Sequence, residues 1–297
     1  MKHLQALCLL AALIGSTCAT AAQTYGAQGP EGAPHRRQVW SVPSPDPNTS
    51  SRAVLFRPPG KGPFPLAIIA HASTQNALRR AQMPQPEYRA LASWFVSHGY
   101  AVLVPERPGH GATGGRYLED QGGCDDADYL NAGRATAESI ATAMTEIRKQ
   151  PFIRHVGTIV VGHSAGGWGA LAMASANPQG VRAIVAFAPG RAGHANDRPS
   201  EVCAPQRLIA AAASFGQTAR VPVIWLVARN DSYFSTTLSR QLADAFRKGS
   251  ARVDLRELPD FRNEGHWLAE SDGGDDIYGA ALDKALKAIT ARPAKTR

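Results

Sequence analysis

Beyond its N-terminus this 297-residue chain has no long apolar run. No stretch there approaches the ~18 consecutive apolar residues that a membrane-spanning helix needs, so stable membrane insertion is not expected. Charge of one sign never accumulates either. Lys and Arg number 32 against 24 Asp and Glu, a net charge of +8, but they are scattered. A nucleic-acid surface would gather them on one face, so no nucleic-acid partner is expected. Cysteine is scarce, with four residues, and no His/Cys set has zinc spacing. Internal repeats and low-complexity tracts are also missing, which excludes solenoids and disordered arrays. What remains is globular: 44% hydrophobic and 19% charged residues, ample for a sizeable core.

The N-terminus reads as an address. Lys2 and His3 precede the apolar stretch Leu4–Ile14, and small residues through Ala21 and Ala22 follow. That is the pattern of a cleaved secretory signal, so residues 1–22 are expected to direct export to the periplasm or medium. A membrane anchor would need a longer run. Cleavage would remove Cys8 and Cys18 and leave Cys124 and Cys203. In an oxidising compartment an isolated pair is a disulfide candidate, the alternative being two free thiols.

Residues 23–50 are rich in Gly, Pro, Ser and Gln. They read as a flexible leader with at most one short strand near Val39–Val42. From residue 51 to 297 the chain alternates. Strands are expected at 53–56, 66–70, 100–104, 156–161, 181–188, 221–227 and 253–258. Helices are expected at 87–98, 127–149, 166–176, 205–214, 236–246 and 277–289. Continuous apolar strands alternating with amphipathic helices predict an α/β fold: one mostly parallel central sheet, helices on both faces, no large separate cap. The stretch 190–217 is the one sizeable insertion.

Gly162-His163-Ser164-Ala165-Gly166 follows an apolar strand and opens a helix. A sharp strand-to-helix turn leaves no room for side chains two before and two after the central residue, and it lifts the serine hydroxyl above the sheet. Ser164 is therefore the expected nucleophile. A neutral serine needs a base, and the base needs an orienting acid. In this fold the acid and then the histidine follow the serine in chain order. Only His194 and His266 lie downstream, and His194 sits inside the insertion. His266, in Asn263-Glu264-Gly265-His266, is the expected base. Asp231 follows a buried strand and is the expected acid; Asp254, Asp260 and Glu264 are weaker rivals. The oxyanion needs two N–H donors: Ala165, and Ala72 or Ser73 after the strand ending at Ala70. His71 reads as structural. Trp168, Trp267 and Tyr117 are candidates to line a substrate pocket, with core packing the equal alternative for the two tryptophans.

These residues resemble the α/β-hydrolase superfamily, and within it the dienelactone-hydrolase-like group. The matching pieces are His71-Ala72-Ser73, Arg107-Pro108-Gly109-His110-Gly111, Gly162–Gly166, Asn230-Asp231 and Gly265-His266. The resemblance implies a Ser-His-Asp triad with no metal and no organic cofactor. The dienelactone hydrolases proper carry a cysteine nucleophile where this chain has Ser164, which points to carboxyl-ester chemistry on a small-molecule ester. An amidase or peptidase, or a hydrolase-like binding protein without activity, are the alternatives. Gly109–Gly114 matches a dinucleotide fingerprint, but the residues after it read as loop rather than as the helix a pyrophosphate needs. Asp125, Asp126 and Asp128 read as the acidic start of a helix rather than as a cation site.

Overall fold

The structure is a computed structural model that describes residues 24–249 and 251–290. The expected signal segment 1–22 lies outside the described residues. Nine strands form one sheet: β1 (Gly26–Ala27), β2 (Gln38–Val42), β3 (Ser51–Phe56), β4 (Leu66–Ala70), β5 (Ala101–Pro105), β6 (Thr158–His163), β7 (Val181–Phe187), β8 (Val223–Ala228) and β9 (Val253–Leu258). Among the described residues seven α-helices connect or flank them: α1 (Ala77–Ala81), α2 (Arg89–Ser97), α3 (Tyr129–Ile147), α4 (Ala165–Ser175), α5 (Pro205–Thr218), α6 (Thr236–Arg247) and α7 (Asp275–Thr290). Every strand and helix expected from periodicity is present, with ends shifted by a few residues. The short helix α1 was not anticipated, because Ala77-Leu78-Arg79-Arg80-Ala81 is too brief to show a period.

The spatial order is β1-β2-β3-β5-β4-β6-β7-β8-β9. Strands β1, β2, β3 and β5 pair antiparallel, and β5 through β9 pair parallel. Residues 26–27 and 38–42 are thus paired members of the sheet. The short strand expected near Val39–Val42 is β2; its pairing with β3, and β1 beside it, tie residues expected as a flexible leader to the sheet.

Period-two alternation assigns the buried strand residues to two layers. Ile68, Val160, Ile184 and Trp225 face α3, α4, α5 and α6, packing against Ile140, Leu171, Phe215 and Phe246. Ile69, Val161, Val185 and Ile224 face the opposite side, against Leu91 and Phe95 of α2 and Tyr278 and Leu282 of α7. Both faces are covered, which is why these strands read as continuous apolar runs. After β4 the chain moves to β5 on one side, then returns to β6 on the other. The carboxyl ends of β4 and β6, with Ala70 beside Gly162, therefore flank the crevice where ligands bind in such sheets.

Long connections lie above those strand ends. Residues 106–128 contain no helix, and Gly109 N–H closes on Gly114 O at 2.6 Å. The glycine-rich string is a tight loop, not a phosphate-binding helix start. Asp128 caps α3 by accepting from Asn131 N–H at 3.0 Å, as an acidic residue at a helix start should. Cys124 and Cys203 are joined by a disulfide, with Cα atoms 5.1 Å apart and a sequence separation of 79. The Tyr129 hydroxyl donates to the Cys203 carbonyl beside it. The bond ties the loop after β5 to the insertion after β7. Closing a loop of this length restricts the unfolded chain by about 4–5 kcal/mol in the chain-entropy description. Reduction is expected to add two hydrogens to the intact mass and to lower the unfolding free energy by about 2–5 kcal/mol in urea melts; an unchanged mass would show free thiols.

Candidate active site

Ser164 sits between β6 and α4 with φ 54° and ψ −118°, a conformation that non-glycine residues rarely adopt. Its N–H donates to Phe187 O at 2.9 Å, and its carbonyl accepts from Trp168 N–H at 2.9 Å, so the turn is held from both sides. A Cβ on Gly162 would stand 2.3 Å from Gly166 O, and one on Gly166 would stand 2.1 Å from Ala70 O. Both glycines are needed because helix and strands approach at backbone distance. Ser164 Oγ makes no hydrogen bond with any described residue. Ala165 N–H opens α4, where the first amides have no intrahelical acceptor.

The loops after β8 and β9 bring Asp231 and His266 together. His266 Nδ1 lies 3.0 Å from Asp231 Oδ2, and both residues are buried. Asp231 Oδ1 accepts from Tyr233 N–H and Phe234 N–H, each at 2.8 Å. The carboxylate is thus fixed by its own loop, and the imidazole is left with Nε2 as its free nitrogen. Glu264, a rival acid from the sequence, has a different task. Its Oε1 accepts from Ser232 N–H and from His266 N–H, at 3.1 and 2.9 Å, and its Oε2 accepts from Ser232 Oγ. It staples the histidine loop to the aspartate loop. Burial raises the Glu264 carboxyl, but the hydrogen bonds from Ser232 and His266 outweigh it and hold it below its ordinary value. His194, the rival base, stacks on Tyr233 at 3.7 Å, and Tyr233 stacks on His266 at 4.1 Å.

On the β4 side, the two amides expected as a second oxyanion donor differ. Ala72 N–H donates to the Tyr88 hydroxyl at 3.0 Å. Ser73 N–H has no acceptor among the described residues. The Ser73 hydroxyl donates to His110 Nε2 at 2.7 Å, since His110 Nδ1 faces the carbonyls of Arg107 and Pro108. His71 is structural in position: its Nδ1 donates to Ala72 O and its Nε2 accepts from Arg107 N–H.

The three aromatic candidates separate. Trp267 is exposed, its ring 5.3 Å from that of His266. Tyr117 lies with its hydroxyl 3.5 Å from Ser73 Oγ and accepts from Arg191 Nη2 at 2.7 Å. Trp168 does not line a pocket. It is fully buried, donates to Tyr129 O at 2.8 Å and packs against Phe215. Helical spacing turns it inward even though it lies four residues from Ser164.

A buried ionic knot supports the loops. Arg107 pairs with Glu119 through two nitrogens and donates to His71 O at 2.7 Å. Arg191 reaches Glu119 Oε2 at 3.3 Å, Glu119 O at 2.7 Å and Gln121 Oε1 at 3.0 Å. Burial pushes the Glu119 carboxyl up, but Arg107 and Arg191 pull it far below its usual range. Nothing in the sequence marks these as partners, because they lie 12 and 72 residues apart from Glu119. No group of three or more His, Cys, Asp or Glu among the described residues is placed to hold a metal.

Glu119→Gln leaves two buried guanidiniums without a carboxylate, and denaturant melts should show a loss of about 3–5 kcal/mol. His110 is held down at about 4, by burial and then by Arg107, and His163 at about 3, by burial and then by His266. Both regain the ordinary value near 6.5 on unfolding. Below 6.5 the unfolded chain then binds more protons than the folded one. The contribution of these two residues is therefore complete above about pH 6.5 and lost as pH falls toward 4. Urea melts at about pH 7 and pH 4.5 should show this decline, and it should be shallower in His110→Asn.

Residues 68–295 match the family model described as "Alpha/beta hydrolase family". No curated protein sequence matches the chain. Similar solved structures include Est1E from Butyrivibrio proteoclasticus with bound ferulic acid, at 15% identity and TM-score 0.57 over 85% of this chain and 99% of that one. An S-formylglutathione hydrolase from Agrobacterium tumefaciens aligns at 18% identity and TM-score 0.57 over 89% and 98%. The Pyrococcus furiosus esterase Pf2001 aligns at 12% identity and TM-score 0.54 over 86% and 90%. At these identities the likeness is one of fold. With the family model spanning most of its length, the chain belongs to the alpha/beta hydrolase family.

Proposed function

We propose that this protein is an exported serine hydrolase that cleaves a carboxylic ester of a small molecule through an acyl-enzyme. The observation that carries the reading is the buried Asp231–His266 hydrogen bond, set in the chain order this fold uses after a serine on a strained strand-to-helix turn. Ser164 attacks the ester carbonyl. His266 Nε2 takes the hydroxyl proton and returns it to the leaving alcohol. Asp231 holds the Nδ1–H tautomer and stabilises the imidazolium. Ser164 Oγ is free of other partners, and catalytic hydrogen bonds in empty sites commonly tighten only around substrate. Ala165 N–H and Ser73 N–H receive the oxyanion; the Ala72 amide is already engaged by Tyr88. Water deacylates by the same route.

Export rests on the N-terminal pattern and agrees with the Cys124–Cys203 bridge, which persists in oxidising compartments. The test is turnover of nitrophenyl esters from acetate to laurate, beside the matching anilides. Ser164→Ala and His266→Ala are each expected to lose up to ~10⁶ in kcat, and Asp231→Ala on the order of 10⁴. Near-wild-type turnover in either of the first two would overturn the triad. Anilide cleavage equal to ester cleavage would overturn the ester assignment in favour of an amidase.

A further inference from the structure

One chain of hydrogen bonds passes through three separate loops of the site. Ala72 N–H, in the loop after β4, donates to the Tyr88 hydroxyl at 3.0 Å. That hydroxyl lies 3.0 Å from His163 Nδ1, one residue before Ser164. His163 Nε2 lies 2.7 Å from the carbonyl of His266. The three links span 16, 75 and 103 residues of sequence, and every member is buried.

The ends of the chain fix its direction. An amide can only donate, so Tyr88 Oη accepts from Ala72 and sends its own proton to His163 Nδ1. A carbonyl can only accept, so His163 Nε2 carries the hydrogen that reaches His266. The neutral Nε2–H tautomer is the one state of His163 that satisfies all three bonds. Glu270 Oε2 is 4.0 Å from His163 Nδ1, beyond hydrogen-bond reach, so that nitrogen belongs to Tyr88. Tyr88 itself is held at φ 49° and ψ 50°. A bulky residue adopts the left-handed region only where its surroundings enforce it.

We infer that Tyr88 and His163 are positioning residues, whose hydrogen-bond chain sets the oxyanion loop, the serine turn and the histidine loop in one register. The inference rests on the triad reading of Ser164 and His266. Ser73 N–H follows the amide that Tyr88 holds, so releasing Ala72 lets the second oxyanion donor drift. Releasing the His266 carbonyl frees the backbone under the base. Neither residue touches the reacting atoms, so substrate affinity should change little while turnover falls. A misplacement of about 1 Å at a catalytic group is enough for a loss near 10²-fold.

The experiment compares Tyr88→Phe, His163→Gln, His163→Leu and the Tyr88→Phe/His163→Leu double variant on a nitrophenyl ester, with Ser164→Ala alongside. Melting curves on the same samples establish that each is folded at the assay temperature. Tyr88→Phe is expected to lower kcat about 10²-fold with KM within about twofold. His163→Gln keeps a donor for the His266 carbonyl and should retain more activity than His163→Leu. The double variant should lose less than the product of the two single losses, because both substitutions cut one chain. Wild-type kcat in a folded Tyr88→Phe, or losses that multiply in the double variant, would overturn the chain as a unit. Should Tyr88→Phe fail to fold, equal activity of the Gln and Leu variants at 163 would overturn it instead. Activity surviving in Ser164→Ala would overturn the triad reading, an outcome separate from these.

Discussion

The site depends first on an approach between backbones. Strands β4 and β6 lie side by side, and α4 starts so close above them that Gly166 has only a carbonyl oxygen where a side chain would go. That proximity is what holds Ser164 in a conformation it would not choose. The cost of order 1–3 kcal/mol is met by the buried packing of α4 against both neighbouring helices and the sheet. Everything else converges on this point because a parallel sheet delivers the carboxyl ends of its strands to one edge. The end of β4 brings His71–Ser73, β8 brings Asp231, and the loop after β9 brings His266.

The layout was legible in the sequence where a single element carries the signal. The strands β4 and β6 to β9 announce themselves as apolar runs, and the glycines around Ser164 announce the turn. Asp231 and His266, which the structure brings into hydrogen-bond contact, were singled out by chain order, a property of the fold rather than of local pattern. That the Ala72 amide is engaged was not legible, since its acceptor is a hydroxyl from Tyr88 sixteen residues away. For Trp168 the core-packing alternative holds. Proximity in sequence to Ser164 suggested a pocket wall, but four residues along a helix is about one full turn, and that face looks into the core. Glu119, Arg107 and Arg191 illustrate the general limit, because a charge that will be buried against another looks like any surface charge until the loops are placed.

The loops above the strand ends are organised by polarity rather than by apolar packing. His71, His110 and His163 are each fixed in one tautomer by a carbonyl on one ring nitrogen and a donor on the other. Each bond of this kind is directional, so the set restricts orientation more narrowly than an apolar cluster of the same volume would. Glu264 does similar work for the histidine loop, its carboxylate accepting three hydrogen bonds. The aromatic stack His194–Tyr233–His266 then sets the plane of the imidazole.

The disulfide and the Arg191–Glu119 pair join the same two loops, one covalently and one by charge. On the proposed reading these loops form the mouth of the site, shaped before any substrate arrives. Little chain entropy is left to lose on binding, so a snug substrate meets almost no ordering cost, while an ill-fitting one cannot recruit loop movement to improve its fit. Selectivity in a vestibule of this kind comes from rigidity, as in a mould rather than a glove.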